Sequence, residues 1–173
     1  MSDKQREKMK IHVYPDPVLR ARAEKVLDID EETQTLIDGM ITTMYAAPGI
    51  GLAANQVGNL ARIIVFDLHP GEDRRSPLAL INPEIVDGEG KITHEEACLS
   101  VVDFAAEVNR MAKVSVKGFD REGKPISLEA EDLLAICLQH EIDHLDGTLY
   151  IDHISSLKRA LYKKKMKKRQ KGS

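Results

Sequence analysis

Gln139-His140-Glu141-Ile142-Asp143-His144 decides how this chain is read. In a helix of about 3.6 residues per turn, His140 and His144 stand one turn apart and about 40° around the axis, so both imidazoles reach one cation. Glu141 points roughly a quarter turn away, close enough to touch a water beside that cation without ligating it. Projected at about 100° per residue, Asp132, Gln139, Asp143 and Asp146 share one polar arc, while Leu133, Leu134, Ile136, Cys137, Leu138, Ile142 and Leu145 cover the rest. A helix so composed is buried nearly all round. Two histidines and a glutamate on its apolar side then need partners, and a metal ion supplies them.

A catalytic site with an open position needs a third protein ligand. The metzincin protease pattern would continue to a third histidine, but this chain has Gly147 and then Tyr150 where that histidine should stand. Cys137 lies about 10 Å along the helix axis from His144, too far for the two to share an ion. The other cysteine is Cys98, within Glu95-Glu96-Ala97-Cys98-Leu99-Ser100.

The chain has 173 residues, 42% of them hydrophobic, which suits one domain with a real core. No apolar run approaches a membrane span, and the polar N-terminus lacks the apolar stretch of a secretory signal. Two cysteines argue against a disulfide framework and for a reducing cytoplasm. The net charge of −3 hides an asymmetry: residues 158 to 171 hold nine basic residues and no acid, leaving 16 basic against 28 acidic residues, net −12, for the body.

Tyr14-Pro15-Asp16-Pro17 predicts a turn, with Asp16 capping a short helical stretch over residues 17–24. Leu36, Ile37, Met40, Ile41 and Met44 recur at helical spacing and predict a long helix over 31–46, ended by Pro48 and Gly49. Gly49-Ile50-Gly51-Leu52-Ala53-Ala54-Asn55-Gln56 is too rich in Gly and Ala for a strong strand and too apolar for an exposed loop, so something approaches its backbone closely. Strands are expected at 62–68, 78–86, 112–119 and 126–130, with a polar loop over 69–76. Asp87-Gly88-Glu89-Gly90 and Asp120-Arg121-Glu122-Gly123 read as turns joining strands. The order predicts an α+β fold: antiparallel sheets around a central buried helix carrying the His-Glu-x-x-His pattern, with a basic C-terminal helix.

The stretches Gly49 to Gln56, Glu96 to Ser100 and Gln139 to His144 resemble, in order and spacing, the three signature motifs of the peptide deformylases. Tyr14-Pro15-Asp16-Pro17-Val18-Leu19-Arg20 is similar to that family's N-terminal segment. The resemblance covers residues 10–157 as the catalytic domain, outside which polar composition predicts residues 1–9 as a flexible lead and charge marks 158–173 as a basic tail. It departs at Ala97, where the family usually has glycine, at Val102, where proline is common, and at Ala105, where some members carry arginine. An altered backbone shape or peptide preference is expected from these.

The resemblance implies a bacterial hydrolase that removes the formyl group from the N-formylmethionine of new polypeptides and releases formate. Carried over by position, Cys98, His140 and His144 are the metal ligands, with water in the fourth place. One thiolate and two neutral imidazoles leave the cation net positive, able to lower the pKa of that water. Glu141 would take the water's proton and deliver it to the leaving amine. The side-chain amide of Gln56 and the backbone N–H of Leu99 would hold the oxyanion, each worth about 2.7–4 kcal/mol in such a role. Gly51 would offer backbone contact to the substrate, and Ile50, Leu133, Ile136 and Cys137 would wall an apolar methionine slot. The family implies Fe2+ in the cell, although Cys-His-His also suits Zn2+, Ni2+ or Co2+.

The tail has helix-forming composition, and its charge is expected to dock the enzyme on ribosomal RNA near its substrate. No membrane partner is expected, and the chain is read as a cytoplasmic monomer. Two competing readings remain: a zinc endopeptidase using His140, His144 and Glu141, and a non-catalytic RNA-binding protein whose structural metal is closed by Cys137 or His94.

Overall fold

The computed structural model describes residues 7–172. The first six residues of the expected lead lie outside them. Met9, its last, is tied to the body: its N–H donates to Thr43 Oγ1 at 2.8 Å.

Helix α1, Glu31–Ala46, is capped by Asp30, whose side chain accepts from the N–H of Thr33 at 3.0 Å. Seven strands follow: β1 Gly51–Ala53, β2 Ile63–Phe66, β3 Leu78–Glu89, β4 Ile92–Cys98, β5 Val101–Arg110, β6 Lys113–Phe119 and β7 Pro125–Glu131. Helix α2, Asp132–Leu145, and helix α3, Ser156–Lys171, complete the chain. Strands β1-β2-β3-β6-β7 form a five-stranded sheet in that order, β4 and β5 a separate ribbon, and every strand pair is antiparallel.

Strand β2 shows why the layers stack as they do. Its Ile63-Ile64-Val65-Phe66 run is buried on both faces. Ile64 and Phe66 meet Leu138, Ile142 and Leu145 of α2, while Ile63 and Val65 meet Ile37, Met40 and Met44 of α1. The alternation of a strand thus binds one helix on each side of the sheet, and each such buried Ile or Leu contributes about 1.5–3 kcal/mol. A third cluster lies under the ribbon, where Val101, Ala106 and Val108 of β5 pack on Leu19, Tyr150, Ile151, and Tyr162 and Met166 of α3. The basic helix is therefore anchored by an i, i+4 pair of buried side chains.

Asp132 makes the corner from β7 into α2 with φ 52°, a conformation that Asp tolerates better than most residues. The other end of α2 stops at Gly147, with φ 76° and so little room that a Cβ would stand 2.5 Å from the Arg20 carbonyl oxygen.

Four expectations change. Residues 87–89 are the end of β3, paired with β6, and the turn is at Gly90-Lys91. The capped stretch after Asp16 ends at Arg20. The glycine-rich segment contains β1 and a 3-10 turn at Ala54–Val57. Strands β4 and β5 escaped the sequence reading because Thr93, Glu95, Glu107 and Asn109 are exposed and the other face of β4 carries His94 and Glu96, so no apolar alternation marks the ribbon.

Candidate active site

The ribbon lays β4 along α2 so that alternate strand residues meet successive helix turns. Glu96 Oε1 lies 2.8 Å from His140 Nδ1, and Cys98 Sγ lies 3.4 Å from His144 Nε2. A carboxylate accepts, so His140 donates its Nδ1 proton to Glu96, and Nε2 is the nitrogen left for a cation, whose binding would displace any proton held there. One donor atom each from Cys98, His140 and His144 lie within 4.8 Å of one another. Thiolate and imidazole donors at about 2.0–2.3 Å around a tetrahedral ion stand roughly 3.3–3.8 Å apart, so this cluster fits a metal after a small closure of side chains.

Glu96 is itself held. Arg110 donates to both its carboxylate oxygens, at 2.8 and 2.9 Å, and to Asp143 Oδ2 at 2.6 Å. Burial pushes the Glu96 carboxyl up, but the hydrogen bonds from Arg110 and His140 outweigh it and bring the pKa down to about 2. His153 Nε2 meets the same Asp143 oxygen at 2.9 Å. Tyr150, in place of a third histidine, stacks on His140 with ring centroids 6.0 Å apart.

Burial drives the two imidazoles and the glutamate between them in different directions. His144 is depressed well below its ordinary pKa, which keeps it neutral and able to ligate. Burial acts the same way on His140, but hydrogen bonds with Cys98 and Glu96 more than offset it. Glu141 is pushed up to about 7 by burial, and its Oε2 has no hydrogen-bond partner among the described residues. A buried carboxylate left unpaired beside three ligand-type donors is placed for proton transfer.

A cavity of about 440 Å³ opens onto this group. Ile50, Gly51, Gln56, Cys98, Leu99, Leu133, Ile136, Cys137, His140 and Glu141 all line it, whereas His144, 1% exposed, sits behind it. Gln56 is fixed from both ends: its Oε1 accepts from the Ala53 N–H at 3.0 Å, and its Nε2 donates to Ser100 Oγ at 3.1 Å and lies 3.6 Å from Cys98 Sγ. The N–H of Leu99, in the tight turn between β4 and β5, makes no hydrogen bond among the described residues. At Gly51 a Cβ would fall 2.8 Å from Glu141 Oε1 and 3.0 Å from Cys137 Sγ, which accounts for the absence of a side chain there.

Leu133 stands at the rim, 40% exposed, while Ile136 and Cys137 are buried. Burial raises the Cys137 thiol well above its ordinary value, so it remains protonated, and it does not join the Cys98, His140, His144 group. Nor does His94, which leaves the closed four-ligand site without its extra ligand among the described residues. Ala97 pairs with Ala105 at a φ that any residue adopts, and the strand register shifts immediately after it, between Ala97 and Cys98. Its exposed methyl simply adds to the cavity rim.

Sequence reasoning assigned no task to Glu96 or Arg110. A signal existed in β5, where alternation puts Arg110 on the face of Ala106 and Val108. An arginine on a buried strand face demands a carboxylate partner.

Comparison with known proteins places these observations. The family model described as polypeptide deformylase matches residues 8–160. A peptide deformylase of Thermodesulfovibrio yellowstonii is 56% identical over 159 residues, covering 92% of this chain and 96% of its own. The crystal structure of a Legionella pneumophila peptide deformylase superposes with a TM-score of 0.89 at 45% identity, covering 95% of this chain and 96% of its own. That of the Ehrlichia chaffeensis enzyme in complex with actinonin gives 0.87 at 37% identity, covering 94% and 98%. With a Cys-His-His group, a buried glutamate and a cavity in one place, and likeness spanning nearly the whole chain, the protein belongs to the polypeptide deformylase family.

Proposed function

We propose that Cys98, His140 and His144 hold the metal of a peptide deformylase and that Glu141 moves the proton in its reaction. The activity of the family is metal-dependent removal of the formyl group from the N-terminal formylmethionine of nascent peptides. The observation that carries the assignment of roles is the buried Glu141 carboxylate, unpaired at Oε2, beside the three donors. When bound there, a divalent cation supplies a Lewis acid that makes water nucleophilic near neutral pH.

Glu141 takes a proton from the attacking water and returns it to the leaving amine, so that formate departs and a free N-terminus remains. A base with a pKa near 7 suits both halves of this task. The Gln56 amide and the Leu99 N–H flank Cys98 and donate to the oxygen that gains charge on the formyl carbon. Ala53 and Ser100 already orient the Gln56 amide, and the N–H that now faces Cys98 Sγ is the one that turns to this oxygen. The backbone of Gly51 takes the first peptide unit of the substrate, and Ile50, Leu133, Ile136 and Cys137 wall the slot for the methionine side chain.

The donor set admits iron, zinc, nickel or cobalt, and we assign Fe2+ as the cellular ion. Metal analysis of protein purified without oxygen tests this. One iron per chain is expected, with activity that decays in air faster than the fold; equal decay of both under air and nitrogen would count against iron. Replacing Cys98 by Ser is expected to abolish the sulfur-to-metal charge-transfer band of the cobalt-loaded protein, and a band that survives would remove Cys98 from the ligand set.

The basic helix α3 is assigned to the ribosome, and the enzyme to the cytoplasm as a monomer. Among the described helices none is long and apolar enough to cross a membrane. Lys163, Lys164, Lys167, Lys168 and Lys171 are exposed and have no ion-pair partner among the described residues. Deleting the helix would also strip Tyr162 and Met166 from the core, so charge must be tested separately. Changing Lys163, Lys164, Lys167 and Lys168 to Glu is expected to abolish a salt-sensitive ribosome association while formate release from a short peptide is kept. Undiminished cosedimentation would refute the assignment.

A further inference from the structure

Five polar side chains of the cavity lining have been given work: Gln56, Glu96, Cys98, His140 and Glu141. Two remain, His94 and Glu95. Side chains alternate along β4, so His94 points to the side of Glu96 and Glu95 to the other. Contacts on that side keep a register with α2: Cys98 meets His144, and Glu96 meets His140 one turn earlier. Two strand residues advance about 6.8 Å and one helix turn about 5.4 Å. His94 therefore stands about one further turn back, at the level of Ile136 and Leu133, which line the same cavity. It is exposed, and its ring makes no hydrogen bond or ion pair among the described residues.

We propose that His94 is a specificity-determining residue of the slot for the first side chain, donating a ring N–H to the thioether sulfur of methionine. The proposal rests on the deformylase reading of the cavity and deepens it. Every other wall of that slot is aliphatic or a protonated thiol, and the Cys137 thiol is aimed at the Ile50 carbonyl, 3.9 Å away. Aliphatic walls measure size and cannot tell a sulfur from a methylene of similar reach. A free donor can, because thioether sulfur is a weak acceptor and a methylene is none. The norleucine side chain, which replaces the sulfur of methionine by a methylene, is the probe that isolates this contact. Exposure of the ring keeps the effect modest, since water satisfies the N–H when norleucine is bound.

The test is kcat/KM for formyl-Met-Ala-Ser and formyl-norleucyl-Ala-Ser, measured with the same metal in wild type, His94→Leu and His94→Gln. The ratio favouring methionine is expected to fall about threefold in His94→Leu and to be retained in His94→Gln, which keeps an N–H donor. An unchanged ratio in His94→Leu would overturn the proposal. So would equal losses in both variants, which would make ring shape the cause. Formate from neither peptide in wild type would overturn the deformylase reading and this proposal with it.

Discussion

Helix α2 has two interfaces of opposite chemistry. Toward the five-stranded sheet, Ala135, Leu138, Ile142 and Leu145 meet Ile64, Leu80, Val114 and Val116. Toward the ribbon, Gln139 holds both backbone groups of Met111, His140 meets Glu96, Asp143 meets Arg110 and His144 meets Cys98. The first interface is non-directional and supplies the free energy of the fold; the second is a chain of directed bonds and supplies position. One helix held rigidly from behind can present its front to tenths of an ångström. Stability and chemistry therefore separate across a single helix.

Substitutions that strike one interface at a time test this separation. Leu138→Ala on the sheet side should cost about 2–5 kcal/mol in denaturant unfolding while metal stoichiometry of the folded protein is unchanged. A folded Leu138→Ala protein that had lost its metal would break the comparison. Glu96→Gln on the ribbon side should weaken metal binding about 10–100-fold in chelator competition, because His140 loses the carboxylate that orients it. Arg110 is then left half-paired, so some stability is lost as well, and affinity must be read on folded protein. Unaltered affinity would mean that the ribbon does not position the ligand.

A smaller effect belongs to the bridge from Arg20 to Asp152, at 2.6 Å and partly exposed, beside the C-terminal end of α2. Arg20→Ala should cost less than about 1 kcal/mol. Burial raises the Asp152 carboxyl, but Arg20 and the Leu149 N–H outweigh it and hold the pKa below its ordinary value. A depressed carboxylate stabilises above the unfolded pKa, so the difference between Arg20→Ala and wild type should be present at pH 7 and shrink as pH falls below about 4. A difference that grew in acid would show the bridge to be irrelevant.

The two interfaces were not equally legible. The sheet side could be read from hydrophobic periodicity alone, since the apolar arc of α2 and the Ile-Val runs of β2 and β3 follow local patterns. The proposed ligands His140 and His144 were legible for a different reason, four residues apart on one helix. Cys98 lies on another element, and only the resemblance joined it to them. The support behind them was not legible: Glu96 and Arg110 are 14 residues apart on paired strands, and their meeting depends on ribbon register. Strand β4 itself was hidden because its alternate residues serve the site and the solvent rather than a core. Close approach at Gly51 is legible from its glycine- and alanine-rich surroundings, and the resemblance implies substrate as what approaches; that a Cβ there would also meet Glu141 and Cys137 depends on how α2 packs.

The central claim is that the ribbon face of α2 is a metal-dependent deformylating site driven by Glu141. Its most direct test is formate release from formyl-Met-Ala-Ser by wild type and Glu141→Ala, with bound metal quantified in the same samples. Wild type should release formate, and Glu141→Ala should lose about 10²–10⁴-fold in rate with its metal still bound. Full turnover by metal-loaded Glu141→Ala would contradict the account.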